Sequence, residues 1–359
     1  MKKTSFFLSQ SEGQTSRSAE HLALRIKERA EWCKLVLLSG EMGSGKTIFS
    51  KAFLRTFKND IKPKSPTFTI IEEYGVGDLC LVHVDLYRLG KNKDPDIYKY
   101  LQEKILDKNA VLIIEWAENL LDFELPEHRI ELDFEYGEGE FERKISFRFV
   151  DKGYPDIKQV RGLLDEFKTP LHVQHHSKKV ANLGIFMASN LSKQGILVDE
   201  KLVYNSGLLH DLVRLVNFPK IDFENGFIEE ITEEKKAIWL NQWKKYKNIH
   251  HAELGADILK DRGFMSCADM IRVHRSRAIE SKIPTLEEKI IYISDKKALH
   301  DKLVKVKERI EDAKTRHNAH NIRENDILSL GNMLLKLCGF KNEDQFDKEF
   351  LKWESNISK

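Results

Sequence analysis

The segment Leu35–Phe53, LVLLSGEMGSGKTIFSKAF, constrains the fold more than any other part of the chain. An apolar run typical of a buried strand leads into a glycine-rich loop, and a helix with Phe49 and Phe53 on one face follows. Within it, Gly40 to Thr47 fit the pattern G-x-x-x-x-G-K-[ST] between a strand and a helix. The segment therefore predicts an α/β domain whose sheet, covered by helices, carries a phosphate-binding loop.

The residue types of this loop predict how it binds a nucleoside triphosphate. The glycines allow backbone N–H groups to face phosphate oxygens at the start of a helix. We expect Lys46 to reach the β- and γ-phosphates and Thr47 to bind Mg²⁺. The predicted nucleotide-binding residues of the loop are Gly40, Glu41, Met42, Gly43, Ser44, Gly45, Lys46 and Thr47. Because many classes of nucleotide-using protein share such a loop, it does not identify the reaction.

The arrangement of apolar segments predicts two domains. A chain of 359 residues with 41% hydrophobic residues is long enough for two separate cores. Residues 1–150 alternate helix and strand, and they end in a predicted hairpin, RIELDFEYGEGEFERKISFRF. Residues 151–359 contain long amphipathic stretches, which predict an all-α domain with a helical extension at its C-terminal end. Ser18 is predicted to begin the first helix as its N-cap.

Overall charge and cysteine content limit the other possibilities. A formal net charge of +2 does not indicate a nucleic-acid or membrane binder by bulk charge alone. The apolar run Phe6–Leu8 is too short for a signal peptide or a membrane span. The four cysteines lack the spacing of a disulfide framework or a metal site, so we expect reduced thiols in a cytoplasmic protein; they are Cys33, Cys80, Cys267 and Cys338.

Two carboxylates end predicted strands downstream of the loop. Asp85 closes the apolar run LCLVHVD, and Glu115 closes AVLIIE, just before Trp116. At the carboxyl edge of a sheet, such side chains point toward a bound magnesium ion. Glu115 would either hold Mg²⁺ or orient the attacking water. The alternative for each carboxylate is capping of a neighbouring helix.

Three segments after the loop closely resemble the TsaE (YjeE) family of small bacterial ATPases, which are needed for threonylcarbamoyladenosine (t6A) modification of tRNA. These segments are KSPTFTIIEEY (residues 64–74), HVDLYRL (83–89) and IIEWAE (113–118). The resemblance covers about residues 5–150. It implies ATP as the nucleotide, partners similar to TsaB and TsaD, and an indirect connection with tRNA.

The same resemblance implies roles for individual residues. Thr47 and Glu115 would bind magnesium. Asp85 would either bind the ion directly or contact one of the groups that bind it. Thr67 would belong to a switch segment that senses the γ-phosphate, and Trp116 would form a wall of the nucleotide site. Lys46, Asp85 and Glu115 are the predicted catalytic residues of this first site.

Histidines and aspartates recur in five blocks of the second half. The blocks are HHSKKVA (residues 175–181), GLLHDLVRL (207–215), HHAELGADIL (250–259), IRVHRS (271–276) and KIIYISDKK (289–297). In this order they resemble HD-domain metal-dependent phosphohydrolases over about residues 165–300. Any one of these histidines, taken singly, is more often a hydrogen-bonded core residue than a ligand.

Taken together, the blocks imply a metal centre. The implied ligands are His176, His210, Asp211, His251, His274 and Asp295. Mixed imidazole and carboxylate ligands suit iron, manganese, zinc or similar ions, and six of them can hold two ions. We expect a pair of transition-metal ions, iron or manganese. Asp211 would be a catalytic residue, and Arg214 would bind a substrate phosphate. Among HD proteins the spacing is most similar to the YqeK group, which is associated with cleaving dinucleoside polyphosphates, although the stretch between His210 and His251 is longer here.

Two features of the second half each allow two interpretations. The histidines His172, His175 and His250 are either structural or substitutes for their neighbours. Trp239, Trp243 and Tyr246 alternate with lysines, a pattern that suits a nucleic-acid surface but is more typical of a helix face packed on the core.

The sequence therefore predicts a t6A-biosynthesis ATPase fused to an HD phosphohydrolase that acts on a phosphorylated nucleotide. Two alternatives remain open at this stage. In one, the chain is mainly an HD nucleotide hydrolase regulated by an ATP-sensing loop domain. In the other, it is a scaffold whose HD part binds metal without catalysis.

Overall fold

The computed structural model describes residues 5–59, 61, 70–275, 279, 283–317 and 323–357. The predicted switch residue Thr67 lies outside these residues. The chain divides into two compact units. The first comprises residues 1–152 with 191–197, and the second comprises residues 153–190 with 198–359. The predicted fold class, an α/β unit followed by a helical one, is confirmed.

A seven-stranded mixed sheet forms the centre of the first unit. Its strands are β1 (Ser5–Ser9), β2 (Leu35–Gly40), β3 (Ile71–Val76), β4 (Leu79–Asp85), β5 (Ala110–Glu115), β6 (Arg129–Tyr136) and β7 (Arg143–Val150). They lie in the order β1-β7-β6-β2-β5-β4-β3. The four central strands β6, β2, β5 and β4 run parallel. The carboxyl ends of β2, β4 and β5 therefore meet at one edge of the sheet, where the loop begins.

Helices cover both faces of this sheet. They are α1 (Glu12–Glu28), α2 (Lys46–Phe57) and α3 (Pro95–Leu106). Along β2, Val36 and Leu38 pack in the apolar cluster with α1 and α2. Leu35 and Leu37 enter a second cluster with α3 on the opposite face. This alternation explains the continuous apolar sequence of β2, because both faces of a central parallel strand are buried.

The N-terminal end of the first unit corrects the predicted start of the first helix and contains a strand that the sequence analysis did not predict. Ser18 does not begin the first helix; it is buried inside α1, where its hydroxyl donates to the Gln14 carbonyl. The N-cap is Ser11, whose side chain accepts from the Gln14 amide. In addition, the short apolar run that includes Phe6 forms β1, which pairs antiparallel with β7. The predicted hairpin of β6 and β7 is confirmed.

Helices predominate in the second unit. They are α4 (Ile157–Glu166), α5 (Leu171–Lys193), α6 (Glu200–Leu209), α7 (Glu233–Tyr246), α8 (His251–Asp261), α9 (Met265–Arg272), α10 (Leu286–Lys296), α11 (Val306–His317), α12 (Glu324–Leu337) and α13 (Glu343–Ile357). A two-residue hairpin, β8 (Ala298–Leu299) with β9 (Lys302–Leu303), follows α10. On α7, Trp239 is fully buried and stacks on Phe227, as the core interpretation of this helix predicts. Among the described residues, the helices do not combine the length and apolar content needed to cross a bilayer.

Candidate functional sites

The phosphate-binding loop lies between β2 and α2, as predicted. Gly40 ends β2 with φ of 129°, and a Cβ at this position would lie 2.3 Å from the carbonyl oxygen of Phe134. Glycine is required here because β6 approaches the backbone too closely for any side chain. Gly45 is the N-cap of α2, so the loop runs directly into the amino end of that helix. This arrangement leaves backbone N–H groups at the start of α2 for an anion.

Lys46 lies inside the loop. Its Nζ atom donates to the carbonyl oxygens of Gly40 at 2.6 Å and Glu41 at 2.8 Å. It also lies 4.0 Å from the centre of the Trp116 ring, a cation–π contact. Burial lowers the pKa of Lys46 and outweighs the negative charges of Glu118 and Glu115, which raise it.

The predicted magnesium ligands Thr47 and Glu115 are in direct contact. Thr47 Oγ1 donates to Glu115 Oε2 at 2.7 Å. Glu115 is 1% exposed, and its other oxygen, Oε1, lies 2.8 Å from Nε2 of His83. Burial by itself raises the pKa of Glu115. The hydrogen bond and charge of His83, together with the hydrogen bond from Thr47, outweigh this effect and lower the pKa. The carboxylate therefore stays ionised, as a cation ligand must.

Asp85 and Trp116 complete this end of the sheet. Asp85 is adjacent to Glu115 in the parallel pairing of β4 and β5, so the two carboxylates end neighbouring strands. Its Oδ1 atom accepts from the backbone N–H of Tyr87 at 2.9 Å. The Tyr87 and Trp116 rings lie 5.0 Å apart. A cavity of about 260 Å³ is lined by loop residues Met42–Ile48, together with Asp85, Tyr87, Glu115 and Trp116.

Sequence reasoning overlooked two residues of this site. His83 is fully buried and bonds to Glu115, although it was assigned no role. A histidine inside the apolar strand LCLVHVD, two residues before a predicted catalytic carboxylate, was the available signal. Tyr136, at the end of β6, donates its hydroxyl to the carbonyl of Met42 and so restrains the loop.

The six predicted metal ligands of the second unit converge in two groups of three. His176, His210 and Asp295 form one group, and Asp211, His251 and His274 form the other. Within each group, potential ligand atoms lie within 4.8 Å of one another. Asp211 joins the groups, because its Oδ2 is 3.7 Å from His210 Nε2 and its Oδ1 is 3.0 Å from His251 Nε2. Two ions sharing a carboxylate fit this arrangement.

Five segments of the chain supply these six side chains. His176 is on α5, His210 and Asp211 directly follow α6, and His251 is the first residue of α8. His274 follows α9, and Asp295 is near the end of α10.

Gly207 allows α6 to approach α5 closely. A Cβ at this position would lie 2.7 Å from Cα of Ala181. This close contact brings His210 toward His176, so that the two imidazole centres lie 5.2 Å apart.

Backbone carbonyls orient three of the imidazoles. Nδ1 of His176 is 2.8 Å from the His300 carbonyl oxygen, Nδ1 of His210 is 2.8 Å from that of Gly207, and Nδ1 of His274 is 2.6 Å from that of Ile271. A carbonyl accepts only, so each Nδ1 carries the proton and each Nε2 presents a lone pair to the cluster. This is the usual arrangement around metal-binding histidines.

Three further observations fit a cation in this cluster. Nε2 of His210 is buried and has no hydrogen-bond partner among the described residues. Nε2 of His251 and Nε2 of His274 lie only 2.9 Å apart, a close approach that a shared cation would stabilise. Burial lowers the pKa of His210 to about 4, whereas Asp211 has a pKa well below its usual value because nearby imidazoles outweigh the effect of burial. Neutral imidazole and ionised carboxylate are the protonation states that bind metals.

A cavity of about 590 Å³ adjoins the cluster. Arg214 lines it, and its NH1 atom lies 2.9 Å from Nδ1 of His251. Of the extra histidines, His172 and His250 also line the cavity, whereas His175 is exposed. His250 is the N-cap of α8, where its Nδ1 accepts from the Ala252 amide. Sequence reasoning overlooked Asn217, whose Oδ1 is 2.8 Å from Nδ1 of His251 and holds that ring in place.

Comparisons with known proteins match both parts of the chain. Residues 9–145 match the family model described as threonylcarbamoyl adenosine biosynthesis protein TsaE, and residues 173–299 match the HD domain model. The tRNA threonylcarbamoyladenosine biosynthesis protein TsaE of Bacillus subtilis is 35% identical over 121 residues, which cover 33% of this chain and 72% of the relative. The TsaE protein of Aquifex aeolicus is 34% identical over 110 residues, with 30% and 74% coverage.

Among solved structures, the crystal structure of Bacillus subtilis YdiB is 27% identical, covers 42% of this chain and 88% of its own, and has a TM-score of 0.33. The family-model match and the curated relatives together determine the family. The chain belongs to the TsaE family and carries an HD domain in addition.

Proposed function

We propose that the chain combines two hydrolytic activities. Residues 1–150 would act as the ATPase of t6A biosynthesis, and residues 151–359 as a metal-dependent phosphohydrolase whose substrate is a phosphorylated nucleotide. The direct bond between Thr47 and Glu115 at the mouth of the phosphate-binding loop supports the first activity. The convergence of six ligand side chains beside a cavity supports the second.

In the first site, the loop amides and Lys46 would bind the phosphates of ATP. Nζ of Lys46 would exchange its bonds to the Gly40 and Glu41 carbonyls for bonds to phosphate oxygens, which carry full negative charge and attract an ammonium group more strongly. Thr47 and Glu115 would hold Mg²⁺, with Asp85 beside them. Trp116, already in contact with Lys46, would exclude water from one side.

In the second site, His176, His210 and Asp295 would hold one ion and Asp211, His251 and His274 the other. When bound, such a pair of ions lowers the pKa of a coordinated water and stabilises charge on a phosphoryl group. The carbonyl bonds to Nδ1 keep each Nε2 lone pair directed at the centre throughout a reaction. Arg214 would neutralise a phosphate oxygen of the substrate. Iron or manganese is the metal that this ligand set favours.

Proteins similar to TsaB and TsaD are the proposed partners of the first unit, because the curated relatives are described as tRNA threonylcarbamoyladenosine biosynthesis proteins. ATP would load or reset the modification complex, and contact with tRNA would be indirect. We place this activity in the cytoplasm.

Phosphate release from a panel of nucleotides tests both activities in one experiment. The panel contains ATP and dinucleoside polyphosphates, and the proteins are wild type, Lys46→Ala and Asp211→Ala, with Mg²⁺ alone or with added Mn²⁺ or Fe²⁺. We expect Lys46→Ala to abolish Mg²⁺-dependent ATP hydrolysis and to spare a second activity that Asp211→Ala removes. His175→Ala, an exposed histidine beside a proposed ligand, is the matched control for the second site.

The cellular role is tested by measuring t6A in tRNA. Cells whose only copy of the gene carries Lys46→Ala should lose the modification, whereas cells with Asp211→Ala should keep it. Normal t6A in the Lys46→Ala cells would contradict the proposal and favour a nucleotide-sensing role. Absence of any Asp211-dependent hydrolysis would favour the scaffold alternative for the HD part.

A further inference from the structure

Four positively charged side chains line the cavity beside the proposed metal centre. They are Arg214, Arg275, Lys296 and Arg309. Three of them lie within the residues that match the HD domain model, which ends at residue 299. Arg309 lies beyond that match, on α11, and Ile310 and Ala313 of the same helix line the cavity as well. Part of the cavity wall is therefore supplied by a helix outside the HD match.

The other three cations contact carboxylate or imidazole groups of the second unit. Nζ of Lys296 lies 2.6 Å from Oδ2 of Asp295, a proposed metal ligand. Arg275 pairs with Glu253.

Arg214 is likewise engaged inside the metal cluster. Its NH1 contacts Nδ1 of His251 at 2.9 Å, and its Nε lies 4.0 Å from Asp211. These three side chains support the metal ligands or neighbouring helices, which limits their freedom to bind a second group on a substrate.

Arg309 also forms an ion pair, with a carboxylate of its own helix α11. Its Nε donates to the Ala298 carbonyl at 3.2 Å, and its NH1 pairs with Oδ2 of Asp312 at 3.2 Å. Neither bond uses NH2. The side chain is 21% exposed, so it is fixed in direction yet reachable from the cavity.

Arg309 lines the same cavity as the proposed metal ligands Asp211 and Asp295. A phosphate that extends from the proposed ions toward α11 would therefore enter the field of this guanidinium.

We infer that Arg309 binds a second phosphate of the substrate, next to the phosphoryl group held at the metal centre. The inference rests on the proposed phosphohydrolase function. It requires a substrate with at least two linked phosphates, because the metal ions and Arg214 would already account for the oxygens of the first. The planar guanidinium, held at Nε and NH1, would present NH2 to a non-bridging oxygen.

Calorimetric binding of inorganic pyrophosphate and inorganic phosphate in the presence of Mn²⁺ tests this inference. All proteins carry Lys46→Ala, so that binding to the loop of the first unit does not contribute. The variants are Arg309→Gln and Arg309→Lys, and Lys307→Gln is the control because it removes an exposed charge from the same helix. Hydrolysis of the nucleotide panel is measured on the same proteins.

We expect Arg309→Gln to weaken pyrophosphate binding about 10- to 100-fold, the value of one charge-assisted bond. Phosphate binding should change less than about twofold, Arg309→Lys should recover part of the loss, and Lys307→Gln should behave as the parent protein. Equal weakening for both ligands, no weakening, or no pyrophosphate binding by the parent protein would each overturn the inference. If pyrophosphate binding depends on Arg309 but no nucleotide is hydrolysed, the proposed catalytic function fails while the phosphate-binding role of Arg309 stands.

Discussion

Nε2 of His83 and Oε1 of Glu115 lie 2.8 Å apart, and both side chains are withdrawn from solvent. Glu115 thereby has both carboxylate oxygens engaged, one by this imidazole and one by Thr47. A buried carboxylate fixed from two sides keeps a single orientation. His83 thus helps to place a proposed magnesium ligand without reaching the nucleotide cavity itself, whose lining does not include it.

Replacing His83 with alanine should weaken magnesium use by the first site. Loss of the imidazole leaves one oxygen of a buried carboxylate without its partner, which costs about 1–3 kcal/mol of unfolding free energy. We expect ATP hydrolysis to fall about tenfold and to require a higher Mg²⁺ concentration for half-maximal rate, since a misoriented ligand weakens metal binding about 10- to 100-fold. His128→Ala, at a half-buried histidine of the same unit that does not line the nucleotide cavity, is the control. An unchanged Mg²⁺ dependence would mean that His83 serves packing alone.

The candidate sites followed from sequence where the chemistry demands particular residue types at fixed spacing. The loop from Gly40 to Thr47 is one continuous stretch of sequence, so its residue pattern predicts the loop conformation directly. His176 and Asp295 are far apart in sequence, yet Nε2 of His176 lies 3.2 Å from Oδ1 of Asp295 in the structure. No periodicity predicts such a contact; the likeness of the whole set to a known family did.

Other features depend on tertiary contacts that sequence patterns do not encode. The run that includes Phe6 and Leu8 is short and partly exposed, and it becomes a strand only because β7 offers a free edge. Ser18 has the residue type of a helix cap. The helix begins before it, however, because the side chain of Ser11 accepts a hydrogen bond from the Gln14 amide in the first turn. Arg309 belongs to no sequence motif, and only its position on the cavity wall makes it a candidate for substrate binding.

The two ligand groups predict a stepwise loss of metal. We expect wild-type protein, purified from cells supplied with manganese or iron, to contain about two ions per chain. His176→Ala should retain about one, since Asp211, His251 and His274 remain intact. Elemental analysis by mass spectrometry provides the count. His175→Ala, which alters the exposed neighbouring histidine, should retain both ions. An equal and complete loss in both variants would indicate a folding defect rather than a missing ligand.

His128 should titrate above the usual histidine range. Its Nδ1 lies 2.6 Å from Oδ1 of Asp151, and this hydrogen bond raises the pKa of His128 more than partial burial lowers it. A raised pKa in the folded state adds stability below the unfolded value of about 6.5 and loses it as pH rises through the folded value. The gain is under about 1 kcal/mol because the imidazole is 47% exposed. NMR titration of labelled histidines measures the shift directly, and Asp151→Asn should return the pKa of His128 toward 6.5. An identical pKa in both proteins would show that Asp151 is not its cause.

Lys297 should be essential for holding α13 in place. Its side chain is 0% exposed, and its Nζ lies 2.5 Å from Oε1 of Glu343 and 2.8 Å from Oδ1 of Asp347, both on α13. Lys297→Met keeps the apolar stem but removes this cation from two partly buried carboxylates. Asp347 keeps Lys305 and Glu343 keeps the Val306 amide, so the loss costs about 2 kcal/mol, the value of a charge-assisted hydrogen bond. We expect amide hydrogen exchange in α13 to accelerate about thirtyfold. Lys352→Met, on an exposed face of the same helix, should leave exchange unchanged. Protection equal to wild type in Lys297→Met would show that the apolar contacts of Phe346 and Phe350 hold α13 without the ion pairs.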